Sequence, residues 1–97
     1  RQTNSEETLI NWVHEAIDEA VGIVINPAAF TFTSLALLDA LKMVDAPVIE
    51  LHISNIHKRE QIYHRSYVSM RADAMIAGLG AYGYEVAVKA VVRLAAI

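Results

Sequence analysis

The residues best suited to chemistry are gathered between Pro47 and Tyr67, in the run PVIELHISNIHKREQIYHRSY. Glu50 and His52 stand two apart in an apolar stretch, so on a strand both side chains leave the same face. There a carboxylate can orient an imidazole and favour its cation, which in outline is a general acid with its positioning partner. Taken alone, the pair fits a structural hydrogen-bond network better than a proton donor, and the two readings come level only when Ser54, Asn55 and Asn26 are added. Ser54 and Asn55 follow directly. Asn26 precedes Pro27, and a proline holds its predecessor extended, so the Asn26 side chain is presented where an earlier apolar run ends. Two adjacent strand ends would bring these polar residues into one crevice. The backbone N–H groups of Ile53 to Asn55, with the Ser54 hydroxyl, would form a cradle for an anion there.

Other reactive residues point less far. His57, His64, Arg59 and Arg65 could bind an anion or gather a metal, but no HExxH-like spacing exists and a solvated lid accounts for them. No metal site is expected. Ser34 and Ser66 lack an evident His–Asp partnership, which disfavours a serine hydrolase. The run GLGAYG from Gly78 to Gly83 follows a strand and opens a helix, like a dinucleotide fingerprint. It leaves too little chain for the acidic ribose contact, and close helix packing explains its glycines. No cofactor is expected. His14 reads as a partly exposed helix residue and Trp12 as packing or interface area.

The elements that position these groups alternate between helix and strand. Asn4 and Glu7 have capping-box spacing, and Leu9, Ile10, Val13, Ile17 and Val21 recur at helical intervals up to a stop at Gly22. Ile23 to Asn26 is short, β-branched and apolar on both faces, as a covered strand would be. After the loop Ala28 to Phe32, Thr31 or Thr33 can cap a helix through Leu35, Leu38, Leu41 and Val44. Pro47 to His52 is the next strand, and the crossover makes the pair parallel. His57 to Arg65 reads as a short helix or irregular lid, Arg71 to Asp73 as a turn, Met75 to Ala77 as a third strand, and Ala81 to Ala96 as a final helix. In such α/β sheets ligands sit at the carboxyl edge of the strands, where the Glu50–His52 run ends.

Composition bounds the function. The chain has 97 residues, enough for a single domain over 1–97, with 55% hydrophobic and 20% charged residues. Eight Lys and Arg are scattered in a net charge of −3, so no nucleic-acid partner is expected. No apolar run is long enough to span a membrane, and the absence of cysteine fits a cytoplasmic setting.

The words ELHISNIHKRE, HRSYVS, AGLGAYGY and, upstream, INPAAFTFTS resemble type II 3-dehydroquinate dehydratases over nearly the whole chain. The resemblance implies a flavodoxin-like, three-layer α/β/α fold with a parallel sheet of order 2-1-3-4-5, entered here at the end of the second strand. Three strands are few for such a sheet, so an amino-terminal strand–helix–strand is expected to be missing beside Ile23 to Asn26, leaving an apolar edge that a longer chain or a partner covers. It implies an anti elimination of water from 3-dehydroquinate through an enolate, without cofactor or metal. His52 would be the general acid, held by Glu50. Ile53 and Ser54 would hold the substrate carboxylate, Asn26 a ring hydroxyl, and Asp39 would reach a neighbouring subunit's site in trimers assembled into dodecamers.

The departures from that pattern are specific. The base, a tyrosine on an amino-terminal loop, lies in the segment the sequence does not contain, so the 97 residues alone are expected to be inactive. Phe32 stands where the family motif THTS has a substrate-binding histidine, and Tyr63 where an arginine contacts a substrate hydroxyl. These two changes motivate a rival reading, a catalytically impaired relative that serves as an oligomeric binding or structural protein. A general flavodoxin-like small-molecule binder is a third, disfavoured by the placement of ELHISN at a strand end.

Overall fold

The computed structural model describes residues 1–97 as three parallel strands and three α-helices. In chain order these are α1 (Glu6–Glu19), β1 (Ile23–Ile25), α2 (Leu35–Lys42), β2 (Val48–His52), β3 (Ala74–Ala77) and α3 (Tyr82–Ala95). The sheet order is β1-β2-β3, with Ile25 opposite Glu50 and His52 opposite Ala77.

β2 is central, and all five of its residues are buried because its alternating side chains enter two different cores. Val48 joins Val13, Ile25, Leu37, Leu41 and Val44 under α1 and α2. Ile49 points the other way, onto Ala87 and Val91 of α3. Each such fully buried side chain contributes about 1.5–3 kcal/mol, which anchors β2 between two helical layers. The expected three-layer order is the one seen. The outer edge of β1 pairs with no strand. A cavity of about 830 Å³ runs along it, lined among others by Trp12, Ile23, Val24, Phe30 and Tyr84. No helix is long and apolar enough to cross a membrane.

The helix ends correct the sequence reading. Ser5, not Asn4, caps α1, its hydroxyl accepting from the Thr8 amide at 3.1 Å while Asn4 accepts from the Gln2 amide group. The helix ends at Ala20, before Gly22. Ser34, not Thr31 or Thr33, caps α2 by accepting from the Leu37 N–H at 2.9 Å. A hydroxyl caps best from the residue just before the first helical one; Thr31 lies inside the 3-10 turn Ala28–Phe32 with its Oγ1 unpartnered, and the Thr33 hydroxyl donates back to the Ala29 carbonyl. The segment His57 to Arg65, expected as a short helix or irregular lid, is the irregular one of the two, with the 3-10 turns Ile56–Lys58 and Gln61–Tyr63.

Two further devices set the ends of the strands. The Arg71 guanidinium donates to the Leu41, Val44 and Ala46 carbonyls, closing off the end of α2 and the approach to β2. Gly83 lies where α3 crosses β2, and a Cβ there would stand 2.8 Å from Leu51 Cδ1.

Candidate active site

Glu50 and His52 lie on the face of β2 that carries Val48, and both are buried, Glu50 completely. A carboxylate without water needs donors, and Glu50 has three. His52 Nε2 lies 2.5 Å from Oε2, Ser66 Oγ donates to the same oxygen at 2.9 Å, and Ser69 Oγ donates to Oε1. Burial pushes the Glu50 carboxyl up, but the hydrogen bonds from His52, Ser69 and Ser66 outweigh it and hold the group below the ordinary carboxylate range. It is an anion in a closed cage.

The His52 ring is thereby oriented. Its Nε2 is committed to Glu50, and Phe32 stacks against it with centroids 6.1 Å apart at 22°. Nδ1 makes no hydrogen bond within the chain. Thr31 Oγ1 is the one fully buried side-chain polar atom without a partner, so the 5% of His52 that remains exposed includes Nδ1. A proton could be exchanged through that nitrogen.

Beyond His52 the backbone presents donors. The Gly78 and Gly80 amides take the carbonyls of His52 and Ile53, at 3.2 and 2.9 Å. Gly78 does so at φ +90°, where a side chain would be strained and an added Cβ would stand 3.2 Å from Asn55 Cβ. The amides of Ile53 and Ser54, by contrast, donate to no backbone group. Both residues are exposed, so the strand end offers free N–H groups with its carbonyls already satisfied, an arrangement suited to an anion. Asn55 turns its Oδ1 back to the His57 amide.

The other residues singled out by sequence are distributed around this centre. Asn26 ends β1 in an Asx turn, Oδ1 accepting from the Ala28 amide and Nδ2 donating to Tyr84 Oη at 3.1 Å. No hydrogen bond links it to His52. Asp39 is exposed on α2 and has no partner within the chain. Tyr63 meets Phe32 edge to face, and the Arg59 guanidinium lies over the Tyr63 ring. His57 and His64 are neighbours, with ring centroids 5.6 Å apart, and His64 Nε2 donates to the Arg59 carbonyl. No three His, Cys, Asp or Glu side chains come together as a metal site. A cavity of about 550 Å³ is lined by Phe32, Gln61, Ile62, His64, Arg65 and Tyr67.

Sequence reasoning missed Ser69 and Tyr84 and treated Ser66 only as a nucleophile. A signal for the serines was present, since Ser66 and Ser69 are three apart, and the Ser69 amide donates to Ser66 Oγ in the turn that aims both at Glu50. Nothing local in the sequence marks Tyr84 as the partner of Asn26, 58 positions earlier.

Residues 1–92 match the family model described as dehydroquinase class II. The chain is 60% identical over 93 residues to 3-dehydroquinate dehydratase 2 of Agrobacterium fabrum, covering 96% of this chain and 63% of that protein. It is 58% identical over 96 residues to the 3-dehydroquinate dehydratase of Streptomyces avermitilis, covering 98% of this chain and 60% of the relative. The crystal structure of the type II dehydroquinase from Propionibacterium acnes superposes with a TM-score of 0.89 at 47% identity, over 100% of this chain and 65% of that one.

Proposed function

Because the chain belongs to the class II dehydroquinase family, we propose that the protein dehydrates 3-dehydroquinate to 3-dehydroshikimate by anti elimination through an enolate. The observation that carries this reading is the His52 ring, bound through Nε2 to the caged Glu50 anion with Nδ1 left free at the carboxyl edge of the sheet.

In this mechanism a base removes the proton beside the ketone, which the carbonyl already acidifies. His52 then passes a proton from Nδ1 to the departing hydroxyl, which leaves as water as the double bond forms. Glu50 keeps the ring in one orientation and offsets its positive charge. The substrate carboxylate sits on the Ile53 and Ser54 amides with the Ser54 hydroxyl, and Asn26 meets a ring hydroxyl. The resemblance assigns the base to a tyrosine upstream of the matched segment, so residues 1–97 supply the acid and the anion cradle. None of these steps calls on a metal or a redox cofactor.

Asp39, exposed and unpaired in the chain, is read as a residue that acts in a neighbouring copy, within a cytoplasmic, trimer-based dodecamer. Size measurement by light scattering tests the assembly. Turnover is tested on the full-length protein by the appearance of a conjugated enone, with His52→Asn as control. Loss of the enone signal with ligand binding retained is the expected result; undiminished turnover in His52→Asn would falsify the assignment.

A further inference from the structure

Glu50 meets solvent nowhere, yet one of the groups that seals it does. Ser69 is an exposed residue that turns its hydroxyl inward onto Oε1, and the half-buried Ser66 donates to Oε2 at 2.9 Å. The turn that carries the two serines is anchored on both sides. Val68, wholly buried, enters the core with Val48, and the Tyr67 amide donates at 2.9 Å to the carbonyl of Thr31, the residue before the Phe32 that stacks on His52. Within the turn the Ser69 amide donates to Ser66 Oγ at 3.0 Å. The Ser66 oxygen accepts that bond, so its own proton is left to point at the carboxylate. His52 is the one charged group that acts on Glu50. Across the sheet stand Ile25 and Met75, and Arg71 is turned to Asp73 and to the carbonyls that close α2. On the far side of the imidazole, Tyr63 meets Phe32 edge to face and Arg59 lies over Tyr63.

We propose that Ser66 and Ser69 are positioning residues that pin the proton shared by Glu50 and His52 on Nε2, leaving Nδ1 as the single position through which the ring exchanges a proton. The proposal deepens the dehydratase reading, in which Nδ1 faces the departing hydroxyl, and rests on it for its meaning in catalysis. Neither serine hydrogen bonds to the ring; both act through the carboxylate. Hydrogen bonds onto an anion are about twice as strong as those onto a neutral group. Moving the proton from Nε2 to Oε2 would therefore weaken both serine bonds at once. Burial is the strongest influence on Glu50 and favours the uncharged acid, and the bonds from His52, Ser69 and Ser66 overcome it only together. With a serine removed, the proton passes to Glu50. The ring is then neutral with its remaining proton on Nδ1, a far poorer acid than the imidazolium.

The experiment uses the full-length protein with 15N-labelled histidine and 13C-labelled glutamate carboxyls, followed by NMR across pH in wild type, Ser66→Ala, Ser69→Ala and Ser69→Thr. Wild type should pass from imidazolium directly to the ring protonated on Nε2 as pH rises. Each alanine variant should populate the neutral ring protonated on Nδ1, and its Glu50 carboxyl should ionise about one to two pH units higher than in wild type. Its kcat for enone formation should fall by about 10–100-fold with KM little changed, since no substrate contact is lost. Ser69→Thr, which keeps the hydroxyl, should behave as wild type. A wild-type ring protonated on Nδ1 when neutral overturns the proposal. So do alanine variants whose kcat falls while the ring titrates as in wild type, which makes the serines structural only, and a threonine variant no better than alanine. If neither alanine variant folds, the wild-type spectrum decides. Spectra as expected with no turnover of 3-dehydroquinate by wild type sink the dehydratase reading and leave the serines in their role. Wild-type turnover with spectra that the alanines do not move does the reverse.

Discussion

Glu50 Oε2 and His52 Nε2 are 2.5 Å apart on a strand whose every residue is buried, and the same carboxylate is closed in by Ser66 and Ser69. Glu50→Gln puts an NH2 group where one oxygen accepted, so a buried donor of Ser69, Ser66 or His52 loses its acceptor. The expected loss is about 1–3 kcal/mol of stability together with misorientation of the imidazole. Urea unfolding and enone formation are the measurements, and a Gln variant as stable and active as wild type contradicts the cage.

Replacing His52 removes the proposed proton donor without enlarging the core. His52→Asn should lower kcat by about 10²–10⁴-fold while KM changes little. Steady-state kinetics separate the two. A rise in KM alone would make His52 a binding group instead.

Acid should weaken the fold through Glu50 and Asp73. Burial raises the Glu50 carboxyl, but its hydrogen bonds from His52, Ser69 and Ser66 prevail. Asp73 is lowered first by the Val48 amide and, against some burial, by Arg71. Both groups bind protons more weakly folded than unfolded, so the stability they contribute is present above the ordinary carboxylate range. It disappears as pH falls through their lowered folded values. Urea midpoints taken across that range should drop, and drop less in Asp73→Asn. An identical acid slope in the variant counts against the assignment.

Arg71 ties three carbonyls at the end of α2, and its side chain is only 16% exposed. Arg71→Ala strands those acceptors and should cost about 1.5–3 kcal/mol. A melting temperature within a degree of wild type would show that water replaces the guanidinium at no loss.

Gly83 and Ser34 test the packing of α3 and the cap of α2. Gly83→Ala drives a methyl group toward Leu51 Cδ1 and should destabilise by about 1–3 kcal/mol. Ser34→Ala should cost about 1 kcal/mol and Thr33→Ala much less, since Ser34 alone accepts from the Leu37 amide. Equal losses at residues 33 and 34 would return the cap to the threonines.

Much of the fold was legible because it is written in local patterns. The β-branched run at Ile23 and the apolar run from Val48 declare strands covered on both faces, and the crossover between them leaves only the parallel arrangement. Caps were read one or a few residues off, because several adjacent polar residues can each supply the oxygen and only the path of the preceding turn selects one. The cage around Glu50 was not legible. Ser66 and Ser69 lie 16 and 19 residues away, and no periodicity reports which loop folds back over a strand.

The amino-acid sequence by itself determined where the strands and helices run, though not their ends, and that Glu50 and His52 share a face, because backbone geometry repeats every two or 3.6 residues whatever surrounds it. Tertiary structure decided the rest: that the Glu50 anion is sealed among donors, that Asn26 is held by Tyr84, and that Phe32 and Tyr63 meet above His52. Those relationships join segments far apart in the chain, so they exist only once loops have closed and the two cores on either side of β2 have set where each loop lands.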